Sequence, residues 1–474
     1  MPRFVPSIAL LGAVLSTAST SCSQLVKTKS ETEHSIKAPS SWGEASQGQH
    51  NKISTGWLEE FDSPQMNRLV REALTQNPSL QASAARLRAS YASTVNARSN
   101  QLPEFGLNAG GSRAYLGNGD NPGIYSSNYN LGLSASWEVD LWGRLSDLTR
   151  AADFSYQASI EEYRGARLSL AANTARAWCN LIAADMQLAL AEDILKSFNK
   201  NVAIVERNYK AGVPGTRAID VQLSRNNVAS AQRSLFSRTQ SRKEAARNLE
   251  ELLGRYPSAS ITAVPNLPKL TKSPPASVPA QLLVRRPDLA AAQLAIYQSA
   301  KTADAAQKNL LPAIRLTGNL RNNEGDLSNV FNPNFIASNI AASLTQTVYN
   351  GGRLKANAQA ELERNKVAIY NFSDRAIAAF KEVENALADD RSLVEQEKYL
   401  LVEVRQATLA VQSAEQDYSE GLDSTGILEI LESQRRANNS RAQLIALQNR
   451  RLQNRIELHL ALGGDFFTQE PTSN

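Results

Sequence analysis

The spacing of apolar residues along the chain predicts two very long helices. From Leu145 to Ala211 there is no proline and a single glycine, and from Leu354 to Glu420 there is neither. Within the first stretch, apolar residues recur at alternating intervals of three and four, which is the seam of a coiled coil. The second stretch keeps this seam with one interruption, at Glu397. Each stretch is expected to form one helix on the order of 100 Å long. The first seam consists of Leu181, Ala184, Leu188, Ala191, Leu195, Phe198, Val202, Val205 and Tyr209.

Each long helix is followed by a turn and a second helical stretch. Arg217–Leu253 and Ile427–Leu462 lack proline and glycine, so each is long enough to pack back antiparallel on the helix before it. Glycine accepts the left-handed conformation that ends a helix. Gly212 and Gly421 therefore mark the tips of two helical hairpins, which are either simple connectors or docking surfaces.

Elsewhere the hydrophobic period changes from helical spacing to strict alternation, which predicts four β-strands. They cover residues ~103–115, ~129–142, ~312–322 and ~337–349, each about the length of a membrane-crossing strand, ~9–11 residues. Segments rich in Gly, Asn and Pro, 116–128 and 323–336, are expected to be loops between them. On one face of the second and third strands the side chains are polar. These are Asn130, Ser134, Glu138, Asp140, Arg315 and Thr317.

Alternation alone fits either a soluble sandwich with one wet face or a sheet in a membrane. In lipid, open sheet edges are not tolerated, and four strands cannot close a barrel. A membrane sheet of this size would therefore oligomerise. A trimer with twelve strands is the simplest assembly that leaves a channel, and the six polar residues would then line its lumen.

The pattern of helices and strands occurs twice. An offset of 209 residues superimposes Pro78 on Pro287, Gly143 on Gly352 and Gly254 on Gly463 without insertion or deletion. We therefore divide the chain into a first repeat, 57–254, and the core of a second, 287–463. The proline-rich segment 255–286 is expected to lie partway along the helices as a belt, and 464–474 is a short tail.

The N-terminus has the pattern of an exported protein. Residues 1–21 combine Arg3, a short apolar run and small residues, which indicates a secretory signal peptide. Cys22 follows it and is a candidate lipidation site that would anchor the mature chain to a membrane. The residue three positions earlier is Ser19 rather than the usual Leu, so ordinary cleavage after Ala18 is the alternative. Residues 22–56 are polar and aperiodic, and are predicted to form a loose tether.

Composition argues against several other functions. The net charge is +5 and no basic block stands out, so nucleic acid is not an expected partner. Two cysteines cannot form a disulfide framework, and Cys179 is expected to be a small buried residue. The three histidines, His34, His50 and His459, have no metal-ligand spacing, so no catalytic residue, metal or cofactor is predicted.

Several motifs together resemble the TolC family of outer-membrane efflux ducts, in its lipoprotein branch of the OprM, NodT and CusC type. They are Trp57 through Phe61-Asp62, NPSL at Asn77–Leu80, QLLVRRPDL at Gln281–Leu289, and the two YxxG tips followed by Asp220 and Glu429. The resemblance implies a homotrimer with a twelve-stranded β-barrel in outer-membrane lipid of a Gram-negative-type cell. It also implies an α-helical barrel that crosses the periplasm to a periplasmic adaptor and an inner-membrane pump of the RND type.

The resemblance further implies roles for residues at the tips. Adaptor contact would fall to Tyr209, Gly212, Val213, Tyr418, Gly421 and Leu422. In relatives an acidic ring near the second tip keeps the entrance shut, and Asp417, Glu420 and Asp423 are the nearest candidates here. Their alternative role is an ordinary solvated helix face. Pro214-Gly215 makes the first tip unlike the second.

The function these expectations support is a passive exit duct for drugs, metals or other small toxic compounds. A secretion duct for polypeptides would use the same architecture. A structural coiled-coil protein of the envelope that conducts nothing is the alternative of a different class.

Overall fold

A computed structural model describes residues 38–39, 41–44, 56–118, 121–264, 266–270, 272–274, 279–419 and 427–465. The chain forms two compact units. The first contains Ala89–Ala158 and Ala292–Phe372, and the second contains the remaining described residues. The fold is mainly helical with one small antiparallel sheet, as the sequence predicts.

Eight α-helices occur in the described ranges, and six of them form repeated pairs. The two long helices, α3 and α7, have 67 residues each and start 209 residues apart. The same offset separates the starts of α2 and α6 and of α4 and α8. The helices are α1 (Pro64–Gln76), α2 (Pro78–Ser99), α3 (Arg144–Lys210), α4 (Ala218–Leu252), α5 (Pro279–Arg285), α6 (Pro287–Lys308), α7 (Arg353–Ser419) and α8 (Ile427–Ala461).

The first unit is built around a four-stranded antiparallel sheet. Its strands are β1 (Glu104–Asn118), β2 (Asn121–Val139), β3 (Ala313–Glu324) and β4 (Ala337–Thr345). They lie in chain order, β1-β2-β3-β4, so β1 and β4 are the two edges. Short 3₁₀ turns at Leu327–Asn329 and Pro333–Phe335 occupy the connection from β3 to β4.

The expected loop at 116–128 is wrong, because β1 and β2 continue through most of it. Gly and Asn are poor strand formers, but a cross-strand aromatic pair compensates here. Tyr115 lies opposite Tyr125, with ring centroids 5.0 Å apart. The extension is therefore a local effect of one pair that composition alone does not reveal.

Two strands end earlier than predicted. β2 stops at Val139 because the next residue, Asp140, binds the start of a helix instead of continuing the ladder. β4 stops at Thr345, which pairs with Ala313, the first residue of β3. Pro312 precedes it and has no N–H to donate, so the ladder ends there.

In the second unit, the predicted coiled-coil seam of α3 is buried or half-buried from Leu181 to Val205, and only Tyr209 at its end is exposed. The interruption at Glu397 has a structural explanation. Its carboxylate forms an ion pair with Arg451 and accepts a hydrogen bond from Gln448 at 3.1 Å. A polar layer thus replaces one apolar layer between α7 and α8.

Helices α4 and α8 end at equivalent glycines. Gly254 and Gly463 have φ of 70° and 66°, a region that favours glycine. A Cβ atom at Gly254 would lie 2.7 Å from the carbonyl oxygen of Gln76. After Gly254 the linker folds back on α4, where the Glu250 carboxylate accepts N–H hydrogen bonds from Ala259, Ser260 and Ile261.

A buried ionic network joins the Trp57–Phe61 3₁₀ turn to α7 and α8. Arg455, whose side chain is 2% exposed, donates to Glu60 at 2.5 Å and to Asp390 at 3.1 Å. His459 lies 2.8 Å from the second Glu60 oxygen, and its ring stacks on Trp57 with centroids 5.4 Å apart. Burial opposes ionisation of Glu60, but the hydrogen bond from His459 and the charge of Arg455 outweigh it, so the pKa of Glu60 is lowered.

Part of the expected loose tether is docked on α7. Trp42 is 4% exposed and meets Phe380 edge to face, with centroids 6.0 Å apart. The backbone N–H groups of Gly43 and Glu44 donate to the two oxygens of Glu384 at 2.8 and 3.0 Å. Periodicity gives no sign of this contact, because a single tryptophan provides it.

Within the described residues, none of the helices combines the length and apolarity needed to cross a lipid bilayer.

Replacing Arg455 by alanine is expected to lower the free energy of unfolding by about 3–5 kcal/mol, because two buried carboxylates lose their cation. Arg436→Ala is the matched control: its side chain is 71% exposed and pairs with the exposed Glu432, so the loss should be far smaller. Urea unfolding followed by circular dichroism measures both.

Because the pKa of Glu60 is lowered, its stabilisation is complete above the ordinary value of 4.5 and is lost as pH falls through the lowered value. Acidification should therefore cost the wild type more stability than Arg455→Ala. Equal acid sensitivity in the two proteins would contradict this account of the network.

Candidate functional site: a two-faced sheet and two hairpin ends

One face of the sheet is apolar and exposed. Strand register places Leu107 opposite Leu133, Leu133 opposite Leu320, and Ile314 opposite Leu344. Leu107 is 76% exposed and Ile340, on the same face, is 90% exposed. A soluble sandwich would bury this face under a second sheet, and the described residues contain only the one sheet.

The opposite face is polar and contains five of the six residues predicted to line a lumen. Asn130 lies opposite Asn323, Ser134 opposite Asn319, and Glu138 opposite Arg315. Thr317 lies opposite Ser136 on the same face. Glu104 and Arg321 also lie on this face, and the uncharged part of the wall consists mostly of amides, hydroxyls and small residues.

Glycines on the polar face lie beneath the polar side chains of the neighbouring strand. A Cβ atom at Gly110 would lie 2.6 Å from the Asn130 amide oxygen, and one at Gly132 would lie 2.8 Å from that of Asn108. Any larger residue at either glycine would displace the amide opposite. The resulting shallow cavity of about 260 Å³ is lined chiefly by amides and by Arg321.

Asp140, the sixth predicted residue, lies beyond β2, which corrects its expected place in the strand. Its carboxylate accepts hydrogen bonds from the N–H groups of Leu145 and Ser146 at 2.9 and 2.8 Å and from the Ser146 hydroxyl at 2.6 Å. It thereby satisfies backbone donors that the first turn of α3 leaves free. Burial opposes ionisation, but these hydrogen bonds outweigh it and lower the pKa of Asp140.

Two indole N–H groups form hydrogen bonds at the end of the sheet where the strands connect to helices. Trp137 donates from Nε1 to the carbonyl of Gln101 at 2.9 Å, and Trp142 donates to the carbonyl of Pro312 at 2.7 Å. Trp142 lies three residues beyond Val139, the last residue of β2, so the predicted strand end at 142 falls in the turn. Both rings combine an apolar body with a satisfied donor, as interfacial tryptophans do.

The first hairpin tip has the geometry expected of a glycine-terminated helix. Gly212 has φ of 71°, and Val213 donates its N–H to the carbonyl of Asn208 at 3.0 Å. Tyr209 and Val213 are 48% and 42% exposed, so both are available for contact. Asp220 starts the returning helix by accepting the N–H of Arg217 at 2.8 Å.

Of the second tip, the structure describes the helix as far as Ser419. Asp417 lies in its last turn and is half-buried, and the backbone of Tyr418 is helical. The other candidates lie outside the described residues. They are Glu420, Gly421, Leu422 and Asp423.

Side chains near the tips bring the two hairpins together. Val205, Val221, Ile427 and Ile430 form a small buried cluster. Beside it, Asn201 donates to Gln434 at 2.8 Å and Gln434 donates to Glu415 at 2.9 Å, which links α3, α8 and α7.

The bridging role of Gln434 was missed from the sequence. The available signal is its spacing of four residues from Ile430, which places a glutamine on the apolar seam of α8. A second missed feature is a groove of about 450 Å³ between α7 and α8. Ala407, Ala410, Leu428, Glu429, Glu432, Ser433 and Arg436 line it.

Of the two cysteines, the structure describes only Cys179. Cys22 lies outside the described residues. Cys179 is fully buried on α3, and burial raises the pKa of its thiol to about 12. It is therefore an unreactive core residue. In the described ranges no group of three or more His, Cys, Asp or Glu side chains is arranged to hold a metal ion.

Comparison with known proteins decides the family. The family model of outer membrane efflux proteins matches residues 69–255 and 278–464. The chain belongs to the outer membrane efflux protein family. The two matched segments follow the two repeats, and membership assigns the protein to the outer membrane.

Relatives of this family member cover most of its length. The cation efflux system protein CusC of Escherichia coli K12 is 28% identical over 417 residues, 87% of this chain and 90% of CusC. The pyoverdine export outer membrane protein OpmQ of Pseudomonas putida is 30% identical over 430 residues, 88% of this chain and 89% of OpmQ.

A solved structure confirms the fold of this efflux protein. The open state of the MtrE outer membrane channel of Neisseria gonorrhoeae has 27% sequence identity and a TM-score of 0.78. The match covers 94% of this chain and 99% of MtrE.

Replacing Asp140 by alanine is expected to loosen the first turn of α3, since two backbone donors lose their acceptor. The cost should be about 1 kcal/mol, or roughly fivefold faster amide exchange at Leu145 and Ser146. Hydrogen exchange with mass spectrometry measures this in the purified protein.

Asp140→Asn keeps one acceptor oxygen and should recover part of the protection. Because the pKa of Asp140 is lowered, wild-type protection should persist below the ordinary aspartate pKa of 3.8 and decline as pH falls through the lowered value. Identical exchange in wild type and Asp140→Ala would show that the carboxylate does not hold the turn.

Proposed function

We propose that this protein is the outer-membrane exit duct of a tripartite efflux system. In this proposal it conducts small toxic compounds passively, after an inner-membrane pump has delivered them. The observation that carries the proposal is the sheet, which has one exposed apolar face, one polar face and two open edges. A lipid-facing wall of an aqueous pore requires these three features together.

Open edges argue for assembly with further copies. The backbone donors and acceptors on the outer sides of β1 and β4 have no strand beside them in the described chain. In lipid each such group costs several kcal/mol, so β1 of one copy would pair with β4 of the next. Three copies supply twelve strands, enough for an open lumen, whereas two would supply eight and fill the interior with side chains.

In such a trimer the polar face becomes the lumen. Asn130, Ser134, Glu138, Arg315 and Thr317 would line it, and Asp140 would lie at its helix-side end. Alternation along each strand places the apolar residues against outer-membrane lipid. The long helices α3 and α7 would continue the wall as an α-helical barrel.

The hairpin ends would meet the periplasmic adaptor and, through it, a pump of the RND type. Tyr209, Gly212 and Val213 form the exposed first tip, and Tyr418, Gly421 and Leu422 are its counterparts in the second. The α7–α8 groove adds an apolar floor with an acidic and a basic rim, at Glu432 and Arg436. A helical hairpin of an adaptor is the kind of partner such a groove accepts.

Cargo is expected to depend on the pump. CusC is named for cations and OpmQ for pyoverdine, yet the two are about equally similar to this chain. Cys22 is proposed to carry lipid and to anchor the mature N-terminus in the same membrane.

Purified wild-type protein is expected to form trimers and to open stable channels in planar lipid bilayers. Arg315→Gln should shift the reversal potential toward cation selectivity, because a positive group leaves the lumen wall. Arg113→Gln, which removes the same charge from the opposite face, is the matched control and should shift it far less. A silent bilayer would instead favour a non-conducting coiled-coil protein of the envelope.

A strain that lacks the gene distinguishes the two cargo classes. Its susceptibility to a panel of small compounds is measured, and so is its secretion of polypeptides. Increased susceptibility to small compounds with normal secretion supports efflux. The reverse pattern would favour a polypeptide duct.

The proposed gate consists of Asp417 and Glu420, with Asp423 beside them. Three copies of each carboxylate near an axis would repel one another and bind counterions, which links closure to salt and protonation. Asp417→Ala combined with Glu420→Ala should raise the current through the closed channel. Glu363→Ala combined with Glu395→Ala removes two exposed carboxylates elsewhere on α7 and should leave that current unchanged. Unaltered leakage in the first variant rejects the gate.

A further inference from the structure

Strands β1 and β2 project beyond the rest of the sheet. The last pair between β2 and β3 is Tyr129 with Glu324, and from there to Asn121 the strand β2 pairs only with β1. At about 3.4 Å per residue the projecting ribbon is about 27 Å long. The proposed duct assigns no role to this ribbon, because the ribbon extends beyond the strands that would form the barrel wall.

The base of this ribbon has an exposed cluster of one arginine and two tyrosines. The guanidinium carbon of Arg113 lies 4.5 Å from the centroid of the Tyr125 ring, and Tyr125 in turn contacts Tyr115. Tyr115 and Tyr125 are 61% and 63% exposed. A Cβ atom at Gly123 would lie 2.2 Å from the Tyr115 ring, so the glycine lets this ring lie flat on the ribbon.

The cluster belongs to the apolar face. Register places Tyr125, like Leu131 and Leu133, at odd-numbered positions of β2, and Arg113 and Tyr115 share the face of Leu107 on β1. Its cation therefore lies on the apolar face of the sheet, and no carboxylate of the described residues forms an ion pair with Arg113.

The position of the cluster relative to the membrane can be inferred from strand length. This inference rests on the proposed function. If the apolar face is in lipid, Val139 to Tyr129 has the length of a membrane-crossing strand, ~9–11 residues. Arg113 lies opposite Ser127, two residues further along β2, which is about 7 Å. That distance places the guanidinium at the level of the outer-leaflet headgroups.

The connection between β3 and β4 also folds onto the apolar face, near the end of β3. Asn322, on the apolar face of β3, donates from Nδ2 to the carbonyls of Asn329 and Val330, both at 2.9 Å, and folds the β3–β4 connection against the strand. The folded connection exposes Phe331 and Phe335, which are 75% and 47% accessible. Aromatic side chains concentrate at the boundary between hydrocarbon and headgroups.

We propose that Arg113, held by Tyr125 and Tyr115, binds the phosphate of an anionic lipid in the outer leaflet. The guanidinium can offer its edge to two phosphate oxygens while its face rests on the ring. The rings beside it would contact the sugar or glycerol part of the headgroup. Each protomer has one such site, outside the channel and separate from the lumen and the hairpin tips.

The test compares full-length wild type, Arg113→Gln, Arg113→Lys and Arg321→Gln in nanodiscs of neutral phospholipid that contain a small fraction of bis-phosphorylated lipid A. Arg321 lies on the polar face of β3, opposite Gly132, and is the matched control for loss of one positive charge. Native mass spectrometry counts the lipid A molecules that stay bound. Circular dichroism confirms that each variant retains its sheet.

Arg113→Gln should weaken lipid A retention about fivefold, since one arginine near a membrane surface contributes about 1 kcal/mol. Arg113→Lys should keep most of it, and Arg321→Gln all of it. Retention unchanged in Arg113→Gln, or reduced equally in Arg321→Gln, overturns the proposal. Displacement of lipid A by millimolar inorganic phosphate also contradicts it, because the site would then recognise free phosphate.

Conductance of the same preparations separates this inference from the proposed duct. If wild type conducts and Arg113→Gln keeps its lipid, only the lipid site is wrong. If wild type conducts nothing, the duct is wrong whatever the lipid count.

Discussion

The backbone hydrogen bonds at the edges of the sheet constrain the rest of this structure. Four strands satisfy one another across three ladders, but the outer sides of β1 and β4 remain open. Water could satisfy them in a soluble protein, yet the adjacent apolar face is exposed as well. In the proposed duct, further copies close the sheet within lipid and meet both needs together. Under that reading, assembly is a requirement of folding in the membrane rather than an addition to it.

Comparison of the two repeats shows which parts of this fold are the same in both and which differ. The repeated helices keep their lengths and their 209-residue offset, so the scaffold is the same in both halves. The differences lie at the sheet, where β2 is longer than β4, and in the hairpins, where Glu397 of the second repeat occupies the position of Leu188 in the first.

Sequence reasoning succeeded where a long-range period determines the structure. The near absence of Pro and Gly over many turns predicts the bounds of α3 and α7 to within one residue, and alternation identifies both faces of the sheet. It failed where one contact overrides composition. The Tyr115–Tyr125 pair extends strands through a Gly- and Asn-rich segment, Asp140 ends β2 by binding a helix, and Trp42 docks a polar segment. The gate role of Asp417 and the adaptor contact of Val213 remain predictions, since each involves other protein chains.

The docked Trp42 also determines how a membrane anchor at Cys22 would act. The chain between these residues can span at most about 70 Å. If Cys22 is lipidated as proposed, Trp42 and the part of α7 that it contacts at Phe380 would lie within that distance of the membrane surface. Diffusion in that thin layer raises the local concentration of copies, so three of them would meet far more often than in the open periplasm.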